Sequence, residues 1–487
     1  MTRRPSIAEL LGDDLPTDPE SAIVAAKVAL GEGFGGDTLT GHAFAEAHRG
    51  RLVYVPERGQ WLEFDGARFA PCDPGGLMQA FAASAAVKAV EAQVNQRRNR
   101  RQTLQAQELA KQMTHLLRTR AKQTAALASA AELPALRTAA NTLDADPWLM
   151  GVQNGVLDLR RGRLVAAEPG QRITKQAGAP FDPEVRAPQW QAFLKRALPD
   201  PEMRAFARRA VGYSLIGVVD EEKLFFAYGP GASGKSTFAN VVEALFGDYA
   251  VAVNKALLVR GQFSDSESER QVTRLHGVRL ASINETSRGD VFDDYKVKKV
   301  TSRERIAARR LYAEAFDFMP THTTWLRGNF LPGVQDAGDG FWRRLVPIEF
   351  GQQIPAAERV ADLDRRIIAE ELPGVLAWAV RGAMEWQESG LGIPKPILAA
   401  VESYREATDL FGAWLEECTR RDPRSKTKTA DLFDSWTQYC QRSGAGGGYV
   451  RAFADELVRR GYERDKSRDK GRRFVGIALT GGFDDLD

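Results

Sequence analysis

Phe225-Phe226-Ala227-Tyr228, running into Gly229-Pro230-Gly231-Ala232-Ser233-Gly234-Lys235-Ser236-Thr237, is the stretch that decides how this chain folds. The second part reads G-x-x-x-x-G-K-[ST]. The aromatic run before it suits a buried strand, and Phe238, Val241, Val242, Leu245 and Phe246 after it are spaced as one face of a helix. Strand, loop and helix in that order turn a pattern match into a structural expectation, a phosphate-binding loop. Gly229, Gly231 and Gly234 let successive backbone N–H groups face an anion, and the helix start presents its positive end to the same place. Lys235 supplies a mobile charge for the outer phosphates, and Ser236 a hydroxyl for Mg²⁺. The whole run 229–237, with Pro230, Ala232, Ser233 and Thr237, is therefore the expected nucleotide cradle. It does not say what the nucleotide drives.

The chain has 487 residues, enough for two to four domains with substantial cores. A net charge of +3 comes from 67 basic and 64 acidic residues, so a nucleic-acid surface has to arise from local clusters. Cys72, Cys418 and Cys440 form no C-x-x-C pair, which argues against a zinc site and a disulfide framework and fits a reducing cytoplasm. No run of about eighteen apolar residues occurs, so membrane insertion is not expected.

Downstream of the loop, residues 278–285 read as an apolar strand ending in Glu285. On the neighbouring parallel strand such an acid would stand where it can orient or deprotonate an attacking water, and the alternative is a surface glutamate at a strand end. Residues 323–327 read as another strand, with Asn329 at its mouth as a γ-phosphate sensor or simply a turn residue before Pro332. Arg343 and Arg344 directly precede the apolar run 345–350, and arginine's planar, permanently charged fork suits a phosphate-facing finger.

Residues 1–40 read as a loosely held arm. Strand patterns at 52–55 and 60–64, with Asp65-Gly66 as a hairpin turn, predict a small β unit, and Asn154-Gly155 predicts a second hairpin. Between them, residues 78–138 space helically and carry Arg97, Arg98, Arg100, Arg101, Arg118, Arg120 and Lys122, either a solvated face or a nucleic-acid contact. One helical stretch is expected over 190–215 and another over 399–417. After a basic, turn-rich 420–428, two amphipathic helices around Trp436 and Leu457 are joined by glycines 444–448 and followed by a strand at 472–479. The acidic end 484–487 reads as a disordered tail.

Taken together these elements resemble superfamily 3 helicases, and more closely the primase-helicase proteins of phages, satellite phages, plasmids and poxviruses. The resemblance rests on Trp61 to Gly66, on Asn154-Gly155-Val156-Leu157-Asp158-Leu159 and on the motor series from the phosphate loop through Lys298, Arg309-Arg310-Leu311-Tyr312, Asn329, Trp342-Arg343-Arg344 and the helical 371–379. Two departures stand out. Ser302-Arg303-Glu304 replaces a Gly-Gly-Asp, and Asn284 replaces the acid expected before Glu285.

The resemblance implies an α/β fold, with a P-loop AAA+-like ATPase core, an α+β N-terminal domain and a C-terminal winged-helix domain. The expected divisions are an arm at 1–40, the α+β domain at 41–175, a helical collar or linker at 176–222, the ATPase core at 223–360, helices completing the motor at 361–420, and the winged helix at 421–487. ATP and Mg²⁺ are the implied cofactors. Lys235 and Ser236 would hold them, Glu285 would position water, Asn329 would sense, and Arg344, or else Arg343, would reach into the adjacent subunit of a homohexameric ring. Lys298, Arg309 and Arg310 would follow single-stranded DNA in the central channel, unless they form an exposed basic corner. Arg468, Lys470 and Arg472 would meet duplex or origin DNA, with protein docking as the competing reading. A primase domain has no room upstream of residue 41, so priming is expected from a separate primase or polymerase, or is not needed. The implied activity is that of an ATP-dependent DNA helicase of a phage, plasmid or other mobile element in the host cytoplasm, moving 3′ to 5′. The alternatives are an ATPase that remodels or packages nucleic acid and an initiator whose nucleotide site is only an assembly switch.

Overall fold

The computed structural model describes residues 36–81, 83, 119–261, 265–287, 289–309, 315–334, 338–443, 449–465 and 472–480. The N-terminal arm up to residue 35, the basic stretch 84–118, Arg310, the glycines 444–448, Arg468, Lys470 and the acidic tail lie outside the described residues.

The first helix, α1 (Gly36–Ala47), begins inside what the sequence reads as an arm, because Phe44 buries completely against helix α2 (Arg120–Ala131), Leu52 and Leu136. Strands β1 (Leu52–Val55), β2 (Gln60–Phe64) and β3 (Phe69–Pro71) form an antiparallel meander. Its second turn is closed by Asp65, whose carboxylate accepts from the Ala67 and Arg68 amides at 2.8 Å each. The second hairpin, β4 (Leu149–Val152) and β5 (Gly155–Asp158), turns one residue earlier than expected: Val152 pairs with Gly155, so Gln153 and Asn154 make the bend. Asn154 instead staples the following connection, accepting from the Phe181 amide and donating to the Phe181 carbonyl, both at 2.9 Å. Strand β6 (Arg163–Val165) completes this sheet.

The β4–β6 sheet does not share a core with β1–β3. Met150, Val152, Leu157 and Leu159 belong to one continuous apolar cluster with Phe225, Phe238 and Trp378 of the central unit. The division expected at residue 175 therefore falls inside a packed body, and the first meander is the separate part. Arg279 fastens the joint. It is 4% exposed, donates to the Leu215 and Leu149 carbonyls at 2.5 Å each, and its guanidinium lies 4.7 Å from the centre of the Tyr249 ring. The Tyr249 hydroxyl accepts from the Gly151 amide at 2.9 Å and donates to the Lys175 carbonyl at 3.2 Å.

The expected helix over 190–215 is two helices, α3 (Pro188–Ala197) and α4 (Pro201–Leu215), because Pro199 and Pro201 interrupt the backbone ladder and Asp200 caps the second. The central sheet follows: β7 (Leu224–Tyr228), β8 (Ala250–Val253), β9 (Leu280–Asn284), β13 (Thr323–Gly328) and β15 (Leu345–Glu349), all parallel, in the order β15-β7-β13-β9-β8. Side chains alternate across it. Phe225, Ala227, Trp325 and Ile348 face helix α5 (Lys235–Phe246), α4 and helix α10 (Leu372–Ser389). Leu224, Phe226, Ile283 and Leu326 face the other side, where helix α7 (Asp294–Thr301) packs. Burial on both faces is why β7 is apolar throughout and β15 is apolar up to Glu349. Helix α6 (Asp265–Thr273) lies between β8 and β9, and α8 (Asp339–Trp342) and α9 (Leu363–Glu370) flank β15 in sequence. Two short pairs sit between β9 and β15, the antiparallel hairpin β11 (Ile306–Arg309) and β12 (Ala315–Phe318), and the parallel pair β10 (Val291–Phe292) and β14 (Gly333–Val334).

The helix expected over 399–417 breaks at Thr408 and Asp409 into α11 (Lys395–Ala407) and α12 (Leu410–Cys418). The second piece belongs to the C-terminal unit, since Phe411, Trp414 and Cys418 bury with Leu432, Trp436, Phe453 and Ile477. The unit thus starts near residue 410 instead of 421. Residues 420–428, read as turns, form the edge strand β16 (Thr419–Lys428), whose register shifts between Asp422 and Lys426 around Pro423. Helices α13 (Thr429–Arg442) and α14 (Val450–Arg459) and strands β17 (Glu463–Arg464) and β18 (Arg473–Leu479) follow, with sheet order β16-β18-β17.

Candidate functional site

The glycine-rich loop connects β7 to α5. Gly229 has φ +140°, and a Cβ there would sit 2.3 Å from the Phe350 carbonyl oxygen; Gly234 has φ +96°, and a Cβ there would sit 2.8 Å from the Phe193 ring. Both glycines are required by backbone and neighbours. Gly231 meets nothing within 4 Å and stands open to whatever occupies the loop. Ala232 takes a left-handed φ of 57°, which curls the loop.

Lys235 is 7% exposed and folds back over the loop, donating to the Gly229 carbonyl at 2.8 Å, the Pro230 carbonyl at 2.7 Å and the Ser233 hydroxyl at 3.2 Å. Burial holds its ammonium below the usual lysine range. All three acceptors are neutral, so the cation's charge is uncompensated by them, and a phosphate in the loop would supply the missing counter-charge. Ser236 and Thr237 occupy the next positions of α5.

Sheet order sets the rest of the site. Glu285 follows the end of β9 and Asn329 follows the end of β13, and both are exposed at the same edge as the loop. The register pairs Gly328 with Tyr228 and Arg327 with Asn284, which brings the three strand ends level. The strand carrying Glu285 is not the neighbour of β7, as the sequence reading had it. β13 lies between them, so Glu285 stands two strand spacings, about 10 Å, from β7, with Asn329 in the gap. A phosphoryl group and one water fit such a gap; adjacent strands would have left about half of it. Asn284 is also exposed at this edge, where the resemblance expects an acid.

Arg343 and Arg344 fall at the opposite edge, before β15. The five residues of β7 put that edge about 16 Å from the loop of the same chain. They also differ from each other. Arg344, the preferred candidate in the sequence, is buried. It donates to Glu222 at 3.0 Å and to the Gly340 carbonyl at 2.8 Å, and its Nε has no partner among the described residues. Arg343 has a side chain 66% exposed and only a longer pairing, 3.6 Å, with the same Glu222. Burial separates the two: the Arg344 guanidinium is held by two internal partners, and Arg343 is the one that stands exposed.

Of the candidate DNA contacts, Arg309 is exposed at the end of β11, which pairs with β12, and Arg310 lies outside the described residues. Lys298 is on α7, paired with Asp294 at 2.7 Å, and its side chain lies against Gly340 near Arg344 instead of on the hairpin. Arg472 is exposed just before β18, while Arg468 and Lys470 fall in the undescribed connection.

One polar chain escaped the sequence reading. Arg327, near the end of β13, donates to Asn240 of α5 at 3.1 Å, and Asn240 donates to Asp364 of α9 at 2.7 Å. The Asn240 hydrogen bond holds the Asp364 carboxyl below its usual range. A charged residue inside an otherwise apolar strand was the available signal. Among the described residues no group of three or more His, Cys, Asp or Glu side chains could hold a metal ion, and no helix is long and apolar enough to cross a membrane.

Residues 41–199 match the family described as "D5 N terminal like". Among curated proteins, the chain is similar to "Putative helicase L207/L206" of Acanthamoeba polyphaga mimivirus, 26% identical over 289 residues, 55% of this chain and 30% of that protein. It is similar to "Putative helicase 022R" of Frog virus 3, 28% identical over 251 residues, 48% of this chain and 26% of that protein. The African swine fever virus "Putative primase C962R" is 27% identical over 219 residues, 43% of this chain and 22% of that protein. The chain thus spans between a fifth and a third of the length of these relatives. Among solved structures, "The A form apo structure of NrS-1 C terminal region-CTR" aligns with a TM-score of 0.38 at 12% identity, covering 61% of this chain and 78% of that one.

Proposed function

We propose that this chain, similar over residues 41–199 to the family described as "D5 N terminal like" and over about half its length to viral putative helicases and primases, is the ATP-driven motor of a replicative DNA helicase. ATP is held by the 229–237 loop, with Lys235 on the outer phosphates. Ser236 would hold Mg²⁺ together with the nucleotide's own phosphates, and the ion would supply charge stabilisation there. Glu285 orients the attacking water, and Asn329 contacts the γ-phosphate. The observation that carries this reading is the sheet order, which sets the loop, Asn329 and Glu285 along one edge across a gap of about 10 Å.

The working form is a ring, most simply a hexamer, in which Arg343 of one subunit completes the site of the next; its exposure at the edge remote from its own loop supports that assignment. Arg309, at the end of β11, follows one DNA strand through the channel, with movement 3′ to 5′. The C-terminal unit, with its order α12, β16, α13, α14, β17, β18, acts as a winged helix on duplex DNA.

Strand separation on a forked substrate, with ATP turnover measured with and without single-stranded DNA, tests this. Lys235→Ala should abolish turnover, and Glu285→Gln should keep ATP binding while blocking hydrolysis. Arg343→Ala should poison mixed rings, so activity falling in strict proportion to the wild-type fraction would remove the action across subunits. DNA-independent, slow hydrolysis without unwinding would favour an initiator in which the nucleotide is an assembly switch.

A further inference from the structure

The turn carrying Glu285 and the turn carrying Asn329 are fastened to each other by groups the chemistry above does not use. Thr286 is 8% exposed, and its hydroxyl donates to the Phe330 carbonyl at 2.9 Å. Gly328 makes room for it: a Cβ at 328 would sit 2.1 Å from Thr286 Oγ1. A second fastening lies just beyond. Asp290 is fully buried, accepts from the Ser287 amide at 2.6 Å, and receives Lys255 Nζ on both carboxylate oxygens at 2.9 Å. Lys255 also donates to the Ser287 hydroxyl at 2.9 Å, and the Gly333 amide donates to the Asp290 carbonyl at 2.7 Å, where the β10–β14 ladder begins.

Glu285 itself has φ +62°, a left-handed conformation that a glutamate rarely adopts and that persists only where neighbours hold it. Thr286 and Ser287, the next two residues, are where the holding contacts are made. We propose that Thr286 is a positioning residue for hydrolysis: its hydroxyl clasps the Glu285 turn to the Asn329 turn, so the water-orienting carboxylate and the γ-phosphate-contacting amide move as one body. The inference rests on the hydrolytic reading of Glu285 and Asn329. It adds a mechanical consequence. From Asp290 the chain runs through β10 and α7 directly into β11, so a shift of the clasped pair on phosphate release is handed to the hairpin that carries Arg309.

Thr286→Val keeps the shape and removes the donor; Thr286→Ser keeps the donor; Gly328→Ala pushes the hydroxyl away. Valine should lower kcat for ATP about ten- to a hundredfold, as expected when a reacting group is misplaced by about 1 Å, while KM for ATP and the melting temperature hold. Serine should restore kcat, and Gly328→Ala should reproduce the valine defect. Hydrogen exchange provides a readout independent of turnover: in Thr286→Val the amides of Ser287 and Gly333 should exchange faster together. Wild-type kcat in the valine variant, a matching rise in KM, no rescue by serine, or faster exchange at Ser287 alone would each overturn the proposal. If Glu285→Gln turned over like wild type, the hydrolytic reading would fall, and joint exchange at Ser287 and Gly333 would still decide whether the clasp exists.

Discussion

Replacing Arg279 by methionine should unfasten the β4–β6 sheet from the motor. The guanidinium makes two hydrogen bonds of 2.5 Å, to the Leu215 carbonyl at the end of α4 and to the Leu149 carbonyl at the start of β4, and stacks 4.7 Å from the Tyr249 ring centre. Burial pushes its pKa down from the usual value, yet a guanidinium stays charged in proteins. Each charge-assisted bond contributes about 1.5–3 kcal/mol, and methionine leaves both carbonyls buried without a donor. Relief of the buried charge offsets part of this, so a net loss of about 3–5 kcal/mol is expected, the size seen when one partner of a buried polar network is removed. At a few degrees per kcal/mol that is a fall of roughly 10 °C in Tm. Thermal melts of wild type, Arg279→Lys and Arg279→Met, each without nucleotide, check it. Lysine should fall between, because one ammonium on a flexible stem cannot span both carbonyls as the planar fork does. Limited proteolysis of the methionine variant should open the connection 166–187 first. An unshifted melt, or lysine behaving as wild type, would refute the reasoning.

Three further outcomes are expected. His322 is fully buried, its Nε2–H donating to the Val300 carbonyl at 3.1 Å while Nδ1 has no partner among the described residues, and burial pushes its pKa down to about 4 from 6.5. Because the unfolded imidazole takes up its proton first, stability should fall as pH drops from 6.5 towards 4 and be insensitive above 7, by about 3 kcal/mol in all; pH-dependent melts of His322→Gln should show a flatter acid limb. Gly234→Ala meets a left-handed φ and the Phe193 ring 2.8 Å away, so it should cost about 2–4 kcal/mol of stability and most nucleotide affinity, whereas Gly231→Ala, with nothing within 4 Å, should stay within about 0.5 kcal/mol of wild type in a denaturant titration. Glu371 accepts from the Gln189 amide at 2.9 Å and the Trp190 amide at 3.0 Å, two donors at the start of α3 that the helix cannot satisfy itself, so Glu371→Gln should cost about 1–3 kcal/mol in the same measurement.

What the sequence determined by itself was local. The run from Phe225 to Phe246 carries its own strand, bend and helix signals, because glycine freedom, apolar period and the lysine's position are properties of consecutive residues. The helices around Trp436 and Leu457 were legible for the same reason. The tertiary structure decided whatever depends on which segments become neighbours. That β13 slips between β7 and β9, that β4–β6 packs into the motor and not onto β1–β3, and that α12 leaves the motor for the C-terminal unit are choices among apolar surfaces of similar character. The same holds for side chains. Arg343 and Arg344 are equivalent as letters, and only the packing against Glu222 and Gly340 buries one and exposes the other. Hydrophobic attraction has no direction of its own, so the pairing of faces and the fate of each charge are settled by the closed shape of the whole.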